Sequence, residues 1–84
     1  MKDRNTFLLE AKVDHLDGAG IKYLRDKLGK ISQEAMARQL GVSGKTVFRW
    51  EKDETRPRSL AKQAIIREYG KEISGDNYFD RYLK

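Results

Sequence analysis

A three-residue link, Gly41-Val42-Ser43, separates two short amphipathic segments and limits the possible folds more than any other feature of the sequence. The first segment begins after Ser32, and the second begins after Ser43 and ends near Glu51. Serine is a preferred N-cap residue, so both segments have a helix start signal. Gly41 can adopt the positive φ that reverses the chain without a Cβ clash. The pattern predicts two helices joined by a tight turn.

The apolar residues of the two segments indicate how these helices meet. Met36, Ala37 and Leu40 form an apolar face at helical spacing in the first segment, and Val47 and Trp50 face inward from the second. Because Ala37 is small, the second helix can cross the first closely. A bulky residue at Ala37 should break this packing.

Glycine and proline set the expected limits of the neighbouring helices. Asp17 offers an N-cap for a helix over about 18–28, which carries apolar residues at helical spacing. Pro57 forces an extended stretch, and a further helix is expected over about 59–69, ended by Gly70.

The two ends of the chain flank the expected domain, 17–70, as an N-terminal extension, 1–16, and a C-terminal tail, 71–84. The extension alternates like a strand but also matches a helix, and its Leu, Glu, Ala and Lys residues favour helix. The tail has turn chemistry followed by an apolar cluster: Tyr78, Phe79, Tyr82 and Leu83. This cluster either forms a dimer interface or covers the protein's own core. The expected fold is all-α, with four or five short helices.

Basic residues are concentrated in the middle of the chain. Residues 22–67 carry 12 Lys and Arg against 5 Asp and Glu, whereas 1–21 and 68–84 each carry 3 against 4. Lysines commonly coat helices, but an excess confined to the middle favours a surface that binds nucleic acid.

Composition also excludes several classes of function. The chain of 84 residues has no Cys and a single His, His15, which excludes thiolate metal sites and makes multi-histidine sites or a serine–histidine triad improbable. The longest run of large apolar residues is Phe7-Leu8-Leu9, too short to cross a membrane. We expect a cytoplasmic protein that is not an enzyme and needs no metal or cofactor.

The helix after the link has two faces. Val47 and Trp50 lie on one side of it at 100° per residue. The other side carries three basic residues and one aromatic residue: Lys45, Phe48, Arg49 and Lys52. On an arbitrary helix such a face is usually just solvated.

Residues 21–66 resemble the helix-turn-helix domain of the Cro/CI (Xre-type) regulators. The resemblance is carried by four stretches: Ile21-Lys22-Tyr23-Leu24-Arg25, Ser32-Gln33-Glu34-Ala35-Met36-Ala37-Arg38-Gln39-Leu40-Gly41-Val42-Ser43, Thr46-Val47-Phe48-Arg49-Trp50-Glu51 and Pro57. Leu16-Asp17-Gly18 and the Arg-Trp-Glu ending are similar to regulators that include antitoxin autorepressors. The chain departs from the family at Lys30, which lengthens a link, and at Asp53, where the family usually has Gly.

The resemblance implies a lambda-repressor-like fold and sequence-specific binding of double-stranded DNA, with the role of a transcriptional regulator that acts as a repressor. It assigns base readout to Lys45, Arg49 and Phe48, with burial of Phe48 against the preceding helix or against a partner as an open alternative. It assigns contacts with the DNA backbone to Gln33, Ser43, Gly44, Thr46, Lys52, Arg56 and Arg58, although Ser43 is first of all an N-cap. Structural roles fall to Ala37, Gly41, Val47 and Trp50, and to an ion pair between Arg25 and Glu51.

The resemblance further implies a homodimer on a palindromic operator. Two alternatives stay open. In the first, the protein is an antitoxin-type autorepressor that also binds a toxin through its apolar ends. In the second, it is a protein-bridging module of the same fold without specific DNA binding.

Overall fold

The computed structural model describes residues 3–83, and every regular element within them is helical. Five α-helices are followed by one 3₁₀ helix: α1 (Arg4–Asp14), α2 (Gly18–Lys27), α3 (Gln33–Leu40), α4 (Gly44–Glu51), α5 (Ser59–Ser74) and the 3₁₀ helix (Asn77–Tyr82). The expected all-α fold is confirmed. In this part of the chain, no helix combines the length and the apolar character that crossing a membrane would need.

Side-chain caps explain where the first four helices begin. The capping oxygens of Asp3, Asp17, Ser32 and Ser43 each accept a hydrogen bond from the backbone N–H three residues later, at 2.8, 2.9, 3.0 and 3.1 Å. These bonds satisfy N–H groups that the first turn of a helix leaves free. The predicted limits of α2, α3 and α4 agree with the structure to within one residue.

The end of α5 was predicted wrongly. The helix does not stop at Gly70 but continues to Ser74. A Cβ added to Gly70 would lie 3.0 Å from the Cδ2 atom of Leu9, so this glycine lets α1 lie close against α5. Gly70 serves helix packing rather than helix termination.

The link between α2 and α3 accommodates its extra residue by backbone conformation. Gly29 and Lys30 are both left-handed, with φ of 93° and 58°. Their N–H groups both donate to the carbonyl of Asp26, at 3.2 and 3.1 Å. Lys30 is therefore held in a conformation that non-glycine residues seldom adopt.

One core joins both ends of the chain to the central helices. It contains Val13 and Leu16 from the N-terminal side, and Phe79 and Tyr82 from the 3₁₀ helix. Phe79 is fully buried and Tyr82 is 6% exposed. Of the two alternatives for the cluster around Phe79, covering the protein's own core is therefore the one that Phe79 and Tyr82 fulfil.

Candidate nucleic-acid interface

The turn between α3 and α4 is closed by backbone hydrogen bonds. Gly41 adopts a left-handed conformation with φ of 75°, and its N–H donates to the carbonyls of Ala37 and Arg38. The N–H of Val42 also donates to Ala37, at 3.0 Å. This is a Schellman-like ending, and it directs the chain at once into the next helix.

Two buried residues fix how α4 is rotated. Val47 is fully buried and Trp50 is 3% exposed, and both contact the core that includes Ala37. The helix has the predicted two faces, because the side opposite Val47 and Trp50 lies in solvent. Lys45 and Arg49 are exposed there.

The exposed face of α4 also carries an aromatic ring. Phe48 is 44% exposed, and the Nζ atom of Lys52 lies 5.4 Å from the centre of its ring. A single exposed aromatic ring is common on a protein surface, but the ring of Phe48 lies among three cations on one helix face. The face can therefore offer hydrogen-bond donors and apolar area together.

Three of the residues predicted to contact the DNA backbone lie at the start of α4: the N-cap Ser43, Gly44 and Thr46. The hydroxyls of Ser43 and Thr46 lie 2.8 Å apart, while the Ser43 oxygen also accepts from the Thr46 N–H. Gly44 faces α3, since a Cβ there would lie 3.1 Å from the Oε1 atom of Glu34. Gly44 thus also contributes to the contact between α3 and α4.

The other end of α4 is tied to α2 and α3. The Arg25 guanidinium donates from Nε to Glu51 Oε2 at 2.7 Å and from Nη2 to Glu51 Oε1 at 3.0 Å. The amide Nε2 of Gln33 donates to the same Oε1 atom at 3.1 Å. The side chains of Arg25 and Glu51 are only 16% and 10% exposed.

These bonds set the charge states of the pair. Burial alone would raise the pKa of Glu51, but the hydrogen bonds from Arg25 and Gln33 and the nearby positive charges outweigh burial and lower it. The hydrogen bond with Glu51 raises the pKa of Arg25. Both groups are therefore charged at neutral pH.

The end of α4 also meets the start of α2. A Cβ on Gly18 would lie 2.4 Å from the carbonyl oxygen of Glu51 and 2.7 Å from that of Trp50, so only a glycine fits. Asp53 is left-handed, with φ of 59°, and its Oδ1 atom accepts from the Gly18 N–H at 2.8 Å. Asp53, where the family usually has Gly, thus places a carboxylate at the N-terminus of α2.

The loop after α4 carries two exposed arginines, Arg56 and Arg58. Arg56 donates from Nη1 to the carbonyl of Leu16 at 3.5 Å, whereas Arg58 is the cap residue of α5 and makes no side-chain capping bond. A groove of about 460 Å³ runs between this loop, α4 and the start of α5. Leu60 lines it and is 82% exposed.

This arrangement, a short turn between α3 and a basic α4 on a shared core, agrees with a match to a protein family. The helix-turn-helix family model matches residues 21–75, which is more than half of the chain. The chain belongs to the Cro/CI (Xre-type) helix-turn-helix family. Among curated proteins and solved structures, none gives a significant match to this chain.

Members of the Cro/CI family are DNA-binding transcriptional regulators, and this establishes the general function. The match begins in α2 and extends past the end of α5, so it includes every residue of the exposed face of α4. In this Cro/CI-type domain, α4 occupies the place of the recognition helix.

Sequence reasoning missed three contacts that shape the site. They are the bonds from Gln33 to Glu51, from Gly18 to Asp53 and from the Tyr82 hydroxyl to Asp17, the last at 2.6 Å. The partners lie 18, 35 and 65 residues apart in the chain. No local pattern could have indicated these pairs, because each depends on how the helices are placed.

Proposed function

We propose that this protein is a cytoplasmic transcriptional repressor that binds a specific double-stranded DNA sequence and acts by occupying a promoter. The observation that carries the proposal is the exposed face of α4, where Lys45, Phe48 and Arg49 lie opposite the buried Val47 and Trp50. An α-helix fits the major groove of DNA, where base edges can be distinguished. This face favours specific DNA binding over a protein-bridging role.

The side chains of this face suit base readout. Lys45 and Arg49 can donate to the O6 and N7 atoms of guanine, and the ring of Phe48 can contact the methyl group of thymine. All three are exposed on one face of one helix, as simultaneous contact with one groove requires.

A second group of residues suits contacts with the phosphates on either side of the groove. Of the two hydroxyl protons of Ser43 and Thr46, one is used between them, which leaves one O–H free to donate to a phosphate. Gly44 is the first residue of α4, and its backbone N–H is one of those that the start of a helix leaves free to donate to a phosphate. Gln33 offers an amide. The remaining contacts are made by the exposed cations Lys52, Arg56 and Arg58.

The operator is proposed to be palindromic and bound by a homodimer. The recognition helices of such dimers lie about 34 Å apart, one turn of DNA. The exposed Leu60, beside α4 and its groove, is the apolar residue best placed for contact with a second copy. Leu60→Asn, which removes the apolar contact without adding a charge beside Arg58, should then lower the affinity for a two-half-site duplex and leave that for a single half-site unchanged.

A gel-shift series across salt concentrations tests the division of roles. Arg49→Ala should cost about 1–3 kcal/mol of specific binding and relax the preference at one base pair. Arg58→Ala should weaken binding to all sequences alike and lower the salt slope by about one. Arg67→Ala, which removes the same charge from the exposed side of α5, is the matched control and should change neither.

One observation favours an additional antitoxin role. A groove of about 880 Å³, lined in part by Leu8, Leu9 and Ile66, runs between α1 and α5, and Phe7 on α1 is 66% exposed. A toxin would bind there, away from α4. A pull-down from the native host should retain a toxin on the wild-type chain and lose it with Phe7→Asp, while DNA binding stays unchanged.

A further inference from the structure

One oxygen atom connects the ion pair at the end of α4 to the first residue of α3. Glu51 Oε1 accepts from Arg25 Nη2 at 3.0 Å and from Gln33 Nε2 at 3.1 Å. The side chain of Glu51 is 10% exposed, so little water competes for this oxygen. Gln33 is held by a residue of the recognition helix itself.

The charge of Glu51 determines which end of the Gln33 amide faces it. An ionised carboxylate only accepts hydrogen bonds, so it must face the NH₂ group of the amide rather than the carbonyl. The pKa of Glu51 is lowered in spite of its burial, and the carboxylate stays ionised at neutral pH. The NH₂ group has two protons, and one remains available to another acceptor.

The same ion pair also fixes the backbone that leads into α3. Arg25 donates from Nη1 to the carbonyl of Ile31 at 2.9 Å, one residue before the N-cap Ser32. The start of α3 and the end of α4 are therefore held in one fixed relation. A phosphate contact made at the start of α3 would therefore fix where the base contacts of α4 fall along the DNA.

We infer that Glu51 is a positioning residue for DNA binding, because it orients the Gln33 amide so that its second N–H donates to a phosphate. This inference rests on the proposed DNA-binding function. Without the carboxylate, the amide is free to rotate and to present its carbonyl oxygen, which a phosphate repels. DNA binding would then have to order the amide, and the entropy lost in doing so would reduce the affinity that Gln33 contributes.

A double-mutant cycle on DNA affinity tests this role. Gln33→Ala should weaken binding about tenfold for all sequences, the effect of one hydrogen bond to a charged group, without changing the salt slope, because glutamine is neutral. In a Glu51→Gln background, the same substitution should weaken binding by less than about threefold. The control is Arg58→Ala, whose effect should be equal in both backgrounds, since no hydrogen bond or ion pair described for residues 3–83 joins Arg58 to Glu51.

The outcomes separate the two proposals. If wild-type protein prefers an operator and the effects of Gln33→Ala are equal in both backgrounds, the positioning role is overturned while the proposed function stands. If wild-type protein shows no preference among duplexes, the proposed function fails, and the inference with it. A loss of the Gln33→Ala effect in the Glu51→Gln background supports the inference.

A second measurement uses only the wild-type chain, in case Glu51→Gln does not fold. Nuclear magnetic resonance of the side-chain NH₂ groups should show slower exchange with water for Gln33 than for the exposed Gln63 of α5. Adding operator duplex should shift the Gln33 signals and leave those of Gln63 in place. Unshifted Gln33 signals, or exchange as fast as that of Gln63, would overturn the inference.

Discussion

Two glycines occupy the same position in two helices, but only one of them should lose stability when it is replaced by alanine. Gly18 and Gly44 are each the first residue after an N-cap, in α2 and α4. A Cβ on Gly18 would lie 2.4 Å from the backbone oxygen of Glu51, whereas a Cβ on Gly44 would meet the flexible side chain of Glu34 at 3.1 Å. Backbone cannot move aside without shifting α4, but a glutamate side chain can rotate away.

The expected magnitudes follow from these contacts. Overpacking of this kind costs about 1–3 kcal/mol, which exceeds the fraction of a kcal/mol that alanine gains in helix propensity. Gly18→Ala should therefore lower the free energy of unfolding by about 2 kcal/mol and Tm by roughly 8–16 °C. Gly44→Ala should stay within about 0.5 kcal/mol of wild type.

Urea and thermal unfolding of both variants, followed by circular dichroism, measure the difference. A Gly18→Ala variant as stable as wild type, or an equal loss of stability in both variants, would contradict this difference. The second result would mean that the position in the helix, rather than the close approach of α2 to α4, decides the effect.

Three further predictions concern stability and pH. Arg25→Ala should lower the free energy of unfolding by about 2–4 kcal/mol without changing base preference, because it leaves Glu51 largely buried and unpaired, and an unchanged Tm would contradict this. Phe79→Ala should cost about 3–5 kcal/mol, since the ring is fully buried, and chemical denaturation that showed no loss would disprove its place in the core. The folded pKa of Glu51 lies below its ordinary value of 4.5, so the stability that its ionised form contributes is complete above about pH 5 and is lost as the pH falls through the folded pKa. Glu51→Gln should therefore flatten the fall in the free energy of unfolding below about pH 5, and an equally steep fall would count against the pair.

The local part of the fold could be predicted from the sequence. Ser32, Gly41 and Ser43 are residues whose preferred conformations end or begin a helix by themselves, so the limits of α3 and α4 agreed with the structure. The all-α class followed from the same signals. The family resemblance added the assignment of α4 as the recognition helix.

The parts that could not be predicted depend on contacts distant in sequence. Gly70 has the chemistry of a helix end, but its role is set by Leu9, which lies 3.0 Å from where its Cβ would be. The apolar spacing of Phe79 and Tyr82 is the same whether they bury against their own chain or another. The bond between Gln33 and Glu51 arises only when α3 and α4 are both in place.

The central claim is that the exposed face of α4 reads DNA sequence, and selection of binding sites from random duplexes tests it most directly. Wild-type protein should enrich a palindromic motif whose half-sites lie about 10 base pairs apart. Arg49→Ala should enrich the same motif with one base pair of each half-site no longer specified, while Arg67→Ala should return the wild-type motif. An identical motif from wild type and Arg49→Ala, or no enriched motif at all, would contradict the claim.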